Sequence, residues 1–164
     1  MKKGFTLIEL LLSLSITAVI LLVISIFLAA ILQSRVRNQA IGEVEEQGRA
    51  AMQLMTQTVR SATAITVPTV GATTTSLSVN TTISTTTPTV FSLAGGAIQM
   101  KEGAFALVPL TNSRVTVSGL TFDNRSRPGT HGTVQIQFTI NSVNTSGRNE
   151  FSYQKTFFGS ATIR

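Results

Sequence analysis

The chain is 164 residues long, carries a formal charge of +6 and contains no cysteine. That length suits one modest domain plus an extended element, and the missing thiols exclude disulfide scaffolding, thiolate metal sites and catalytic or redox thiol chemistry. A mean hydropathy of +0.30 with only 12% charged residues fits a chain with one membrane-scale apolar segment better than a uniformly apolar domain.

The N-terminus reads Met1-Lys2-Lys3-Gly4-Phe5-Thr6-Leu7-Ile8-Glu9-Leu10, and the 28 residues from Phe5 to Leu32 hold a single formal charge, Glu9. As a helix that stretch is about 42 Å long, more than the ~30 Å hydrocarbon core of a bilayer. Lys2 and Lys3 precede it and argue for a cytoplasmic N-terminus. Arg35 and Arg37 follow it and weaken that asymmetry, though Glu43, Glu45 and Glu46 come next. A secretory signal peptide has an apolar core of about 7–15 residues, too short to match this one. A plain signal anchor has the right length but gives no reason for Glu9. A carboxylate inside a membrane helix costs roughly 2.5–3.5 kcal/mol unless it lies shallow. If the chain is cut after Gly4, Phe5 gains a cationic amine, and Glu9 lies four residues further on, on the same helix face. The charge would then be compensated within one subunit or by the amine of a neighbour.

Gly4-Phe5-Thr6-Leu7-Ile8-Glu9 followed by an unbroken apolar run resembles the class III signal of type IV pilins and type II secretion pseudopilins, over residues 2–35. The resemblance implies a leader, residues 1–4, removed between Gly4 and Phe5 by a membrane prepilin peptidase, and N-methylation of Phe5. It also implies that Glu9 helps recruit the subunit into a pilus or pseudopilus, with Phe5 as its partner. The partners implied are that peptidase and methyltransferase, other pilin or pseudopilin subunits, a membrane assembly platform and the lipid bilayer. The localisation implied is a single pass through the cytoplasmic membrane with the C-terminal domain outside the cytoplasm. Many major subunits of the family carry a helix-breaking proline near the position of Ile26. Here no Pro or Gly occurs between Phe5 and Ile41. Interior proline costs about 3 kcal/mol, so its absence predicts a continuous helix and points to a minor subunit. The presence of Glu9 argues against the minor pseudopilin class that lacks the acid.

The helical pattern continues past the apolar run. Val36, Ala40, Val44, Ala51, Met52, Met55, Val59 and Ala62 recur near the 3.6-residue period, with charged and amide residues between them. Glu45 and Arg49 form an i,i+4 pair in the favourable order. The expected segments are a membrane or filament-core helix over 5–34, an amphipathic helix over 35–64 and a β-rich outer domain over 65–164. Gly42 and Gly48 mark either a close approach of helix and sheet or a bend.

The stretch 66–90 is rich in Thr and Ser and reads as a loop region, with Ser76–Val79 a short strand candidate. Thr89–Leu93 and Ala97–Lys101 flank Gly95-Gly96, a hairpin signal. Phe105–Leu110 is a further strand candidate, and Val115, Val117, Leu120 and Phe122 lie in another. Val134, Ile136, Phe138 and Ile140 alternate strictly with polar residues, as a half-buried strand does. After a turn over Asn144–Asn149, Phe151, Tyr153 and Lys155 alternate toward Phe158. The fold class expected is α+β: a long N-terminal helix packed on an antiparallel sheet with a solvated outer face. This order resembles the J-type minor pseudopilin and related minor pilins.

No cofactor or metal is expected. His131 is the single histidine, and the outer domain has few acids from which to build an acid–base or metal site, so the chain reads as non-enzymatic. Two readings follow. The first is a structural subunit, a minor pilin or pseudopilin. The second is a pilin that binds DNA or a surface, with Arg125, Arg127 and Arg148 as the candidate polyanion contacts. A permanently anchored single-span protein is the alternative outside the family.

Overall fold

The computed structural model describes residues 6–127, 129, 132–144, 147 and 152–164. One helix, α1, runs unbroken over Leu7–Ser61. Nothing in its first half interrupts it, since Leu and Ile dominate and proline is absent. Thr6 opens the helix from an extended conformation, and Arg60 places a cation in its last turn.

Helix α1 stops at Ser61, three residues before the expected end at Ala64. The reason is tertiary. Ala62–Val67 forms strand β1, paired antiparallel with β3 (Leu77–Thr81), and Ala62 already faces Thr81 across that ladder. The β-branched run Thr63, Ile65, Thr66, Val67 favours the strand once a partner exists.

The segment expected to be a loop region with a short strand candidate holds several short strands among its turns. Besides β1 and β3 it holds the two-residue strand β2 (Thr73–Thr74), and it runs into β4 (Thr89–Ala94). What remains is knitted by threonine hydroxyls. Thr87 Oγ1 donates to the Thr81 carbonyl at 2.9 Å and accepts from the Thr81 N–H at 3.0 Å. Strand β5 (Ala97–Glu102) returns from β4 through Gly95-Gly96, with φ of 60° and 75°. Left-handed backbone at both central residues is the type I′ geometry that suits a two-residue hairpin. The strand expected over Phe105–Leu110 shrinks to β6 (Val108–Pro109), with Phe105, Leu107 and Val108 exposed. Pro109 brings no N–H to a longer ladder.

Three long strands complete the domain: β7 (Val115–Asn124), β8 (Thr133–Ser142) and β9 (Gln154–Thr162). Where a single antiparallel sheet is expected from sequence, the structure has two. One is five-stranded in the order β1-β3-β4-β5-β6, and the other is four-stranded in the order β2-β7-β8-β9. The outer half of α1 lies mainly on β9 and β8. Its Val44, Ala51, Met55 and Val59 meet Val134, Ile136, Phe138 and Ile140 of β8 and Phe157 and Ala161 of β9 in one core. Leu77, Val79, Phe91 and Ile98 of the five-stranded sheet join the same cluster. The other face of the four-stranded sheet carries exposed Gln135, Gln137, Phe158 and Ser160. The architecture is therefore α+β and pilin-like, one long helix packed on antiparallel sheets.

Candidate functional site: the exposed half of the N-terminal helix

Two very different surfaces share α1. From Val44 onward it buries one face every three to four residues. Before that it buries none. Leu7, Ile8, Leu10, Leu14, Ile16, Val19 and Phe27 are each more than half exposed, and the apolar side chains cover all sides of the helix through Leu32. The most apolar 18-residue window in α1 has a mean hydropathy of 2.9 and is 0% buried by the rest of the chain. An apolar surface of that length with no partner in its own chain requires a bilayer or other chains around it.

The polar groups of this segment are arranged for such surroundings. Ser13 and Ser15 donate their hydroxyls to the carbonyls of Leu10 and Leu12, at 2.9 and 2.8 Å. Thr17 and Ser25 donate to Ser13 and Leu21, both at 2.8 Å. Each hydroxyl is satisfied within its own helix, which lowers the cost of surrounding it with hydrocarbon. Glu9 has no cation near it among the described residues. It stands in the first turn of α1, where the positive end of the helix dipole favours a carboxylate. The Thr6 hydroxyl approaches Glu9 Oε2 at 3.4 Å, and the Glu9 and Leu10 N–H groups donate to the Thr6 carbonyl. Gly4 and Phe5 lie outside the described residues.

Just beyond the apolar stretch, carboxylates of α1 hold the outer domain. Glu43 accepts from the Asn112 side chain and pairs with Arg114 at 3.6 Å, and Gln47 Oε1 accepts the Asn112 backbone N–H at 3.3 Å. Glu45 accepts from Lys155 of β9 and from Arg49 at 3.0 Å. The Lys155 hydrogen bond is the largest influence on the Glu45 carboxyl and, with help from Arg49, holds it below its ordinary range despite the opposing effect of burial. The i,i+4 pair read from the sequence is thus present. Its tie to Lys155, 110 residues away, had no local signal.

Two of the three arginines singled out from the sequence are among the described residues. Arg125 and Arg127 follow β7, at the end of the domain where α1 finishes. Arg125 is neutralised there by Asp123 at 2.6 Å. Arg148 and His131 lie outside the described residues. Sequence reasoning did not place Arg60 beside Arg164. The Arg164 N–H donates to the Arg60 carbonyl at 3.4 Å, so both stand at the same end as Arg125 and Arg127. Among the described residues no group of three or more His, Asp or Glu is placed to hold a metal ion.

Residues 1–25 match the family model described as the prokaryotic N-terminal methylation motif. No curated protein and no solved structure gives a significant match to the chain.

Proposed function

We propose that this chain, which carries the N-terminal methylation motif of the type IV pilin and pseudopilin family, is a minor structural subunit of a pilus or of a type II secretion-like pseudopilus. The motif implies a precursor processed by prepilin peptidase and assembled with other pilin subunits, and its family is structural rather than enzymatic. In this reading the peptidase cuts between Gly4 and Phe5 and Phe5 is N-methylated. The mature chain waits in the cytoplasmic membrane with residues 65–164 outside the cytoplasm. An assembly platform then draws it into a fibre whose core is made of helices like 5–34. Glu9 and the Phe5 amine set register, because an unpaired carboxylate in that apolar core would be costly.

The observation that carries the proposal is the unbroken, wholly exposed apolar half of α1, holding one carboxylate directly behind the processing motif. The lack of a helix break in that half supports a minor rather than a major role. The test is to co-express the full chain with a prepilin peptidase and measure the N-terminal mass. A methylated chain beginning at Phe5 is expected. Retention of Met1–Gly4 beside a correctly processed control substrate would reduce the chain to a permanently anchored β domain.

A second reading adds a polyanion contact, DNA or an acidic surface, at the membrane-distal end. Its support is the placing of Arg60, Arg127 and Arg164 at that one end. Binding of duplex DNA by the full chain in detergent, weakening as salt rises and lost in Arg127→Glu, is the expected result. Equal binding by that variant would count against it.

A further inference from the structure

We propose that the free edge of β9 receives, by strand addition, an extended segment of a different subunit of the same fibre; the choice of a different subunit rests on the membrane and fibre reading above. Strand β9 closes one side of the four-stranded sheet. Its pairing with β8 decides which backbone groups are left over. The Ile163 N–H donates to the Gly132 carbonyl and the Ser142 N–H to the Tyr153 carbonyl, both at 2.9 Å. Opposed residues in an antiparallel ladder alternate between exchanging both hydrogen bonds and exchanging none. The register is unbroken from Thr133 opposite Thr162 to Asn141 opposite Gln154, so the odd-numbered residues of β9 give their N–H and C=O groups to β8. Thr156, Phe158, Ser160 and Thr162 point theirs outward. Arg164 is next in that row, and its N–H goes to the Arg60 carbonyl. The four before it have no backbone partner on that side among the described residues.

An open edge strand is a template for other chains, and proteins blunt such edges with short strands, bulges, proline or charge. The other sheet edges of this domain carry those devices. Strands β2 and β6 are two residues long, and β6 contains Pro109. Strand β1 breaks register with β3 twice. Strand β9 has nine residues, an unshifted register and no proline. No formal charge stands between Thr156 and Ile163, and Lys155 before them is held by Glu45. The domain protects three edges and leaves the fourth ready to pair.

The unpaired row states what fits it. Donors and acceptors at the repeat of a β-strand are matched by another extended backbone. The outer-face side chains state the rest. Phe158 is 64% exposed, between the neutral Thr156 and Ser160. The segment that pairs here therefore brings an aromatic or branched aliphatic side chain opposite Phe158, with uncharged neighbours on that face.

Strand direction rules against a second copy. Lys155 meets Glu45, and the Arg164 N–H meets the Arg60 carbonyl, so β9 and the outer half of α1 run the same way. Two copies joined antiparallel through β9 are related by a two-fold axis, which points their apolar helix halves in opposite directions. One bilayer or one fibre cannot take both. Parallel pairing would align the helices, but parallel sheets are covered on both faces, and Gln135, Gln137 and Ser160 are exposed on the outer face of this one. The occupant is a strand of another subunit, running antiparallel to β9.

The test is amide exchange by NMR on the full chain in detergent, alone and with the synthetic peptide Thr-Val-Thr-Phe-Thr-Val-Thr, N-methylated at its inner threonines so that it cannot stack on itself. In the chain alone, the amides of Phe157, Gly159 and Ala161 are expected to be protected, and those of Thr156, Phe158, Ser160 and Thr162 to exchange fast. The peptide is expected to slow the second set several-fold. The same peptide N-methylated instead at its valines and phenylalanine should have no effect. Ser160→Pro removes an outward N–H and no bond to β8, so it should keep the first set protected and lose the slowing. Phe158→Lys, which changes only an exposed side chain, should lose it as well. Outward amides already protected in the dilute chain, or no slowing by the first peptide, would overturn the open edge. Equal slowing by both peptides would overturn strand addition. Protection that grows with chain concentration alone would give the edge to a second copy. In cells, Ser160→Pro should be processed at Phe5 like the parent and fall several-fold in sheared filaments; unchanged incorporation would overturn the fibre partner. Failure of the parent itself to be processed would defeat the pilin reading, whereas the exchange pattern does not depend on cleavage.

Discussion

Gly48 of α1 lies directly under the Phe157 ring of β9, so close that a Cβ on Gly48 would overlap the ring and fall 2.6 Å from Cε1. The ring cannot easily give way. It is 9% exposed, and its other side stacks on Phe138 with centroids 5.4 Å apart. Glycine weakens a helix by about 1 kcal/mol against alanine. Here it is retained because helix and sheet touch through its bare backbone.

Gly48→Ala is therefore expected to destabilise the domain, because overpacking a core costs about 1–3 kcal/mol and outweighs the gain in helix propensity. Gly42→Ala is the control. A Cβ there meets nothing within 4 Å, so that variant should gain up to about 1 kcal/mol. Urea unfolding of both full-length variants in detergent would check the opposite signs, and stabilisation by Gly48→Ala would contradict the packing argument.

The Glu45–Lys155 tie predicts a pH dependence with a definite direction. The folded-state pKa of Glu45 is lowered from 4.5, so the unfolded chain takes up the proton first as pH falls. The contribution is fully present above about 4.5 and is lost as pH falls through the lowered folded value. Glu45→Gln should melt below the parent at neutral pH, and the gap between the two should close below 4.5. A gap that persists unchanged into acid would rule the ion pair out as its source.

Asn124, 2% exposed at the end of β7, donates through Nδ2 to the Pro68 carbonyl at 2.7 Å and accepts the Ser126 N–H at 3.0 Å. Asn124→Ala leaves both backbone groups without their side-chain partner, at a cost of about 1–3 kcal/mol. The variant's denaturation midpoint should fall by a matching amount, with the slope of the transition unchanged.

Glu9→Ala tests the proposed register. Cleavage and methylation at Phe5 should proceed as in the parent, while incorporation into sheared filaments should drop several-fold. Immunoblotting of membrane and filament fractions separates the two steps, and normal incorporation would remove Glu9 from assembly.

The single apolar run with its carboxylate, the hairpin at Gly95-Gly96 and the alternation along β8 were legible because each is a local pattern. Backbone geometry and one-sided burial dictate those residue types at those spacings. The β7 bulge was half legible. Burial falls on Val115 and Val117, then shifts phase to Leu120 and Phe122 across Gly119, whose φ is 62°. The division into two sheets, the helix end at Ser61, the contact of Gly48 with Phe157 and the open edge of β9 were decided only by tertiary structure. Each depends on which distant segments pair or touch, and a one-dimensional pattern specifies a segment's apolar face but not the partner that covers it.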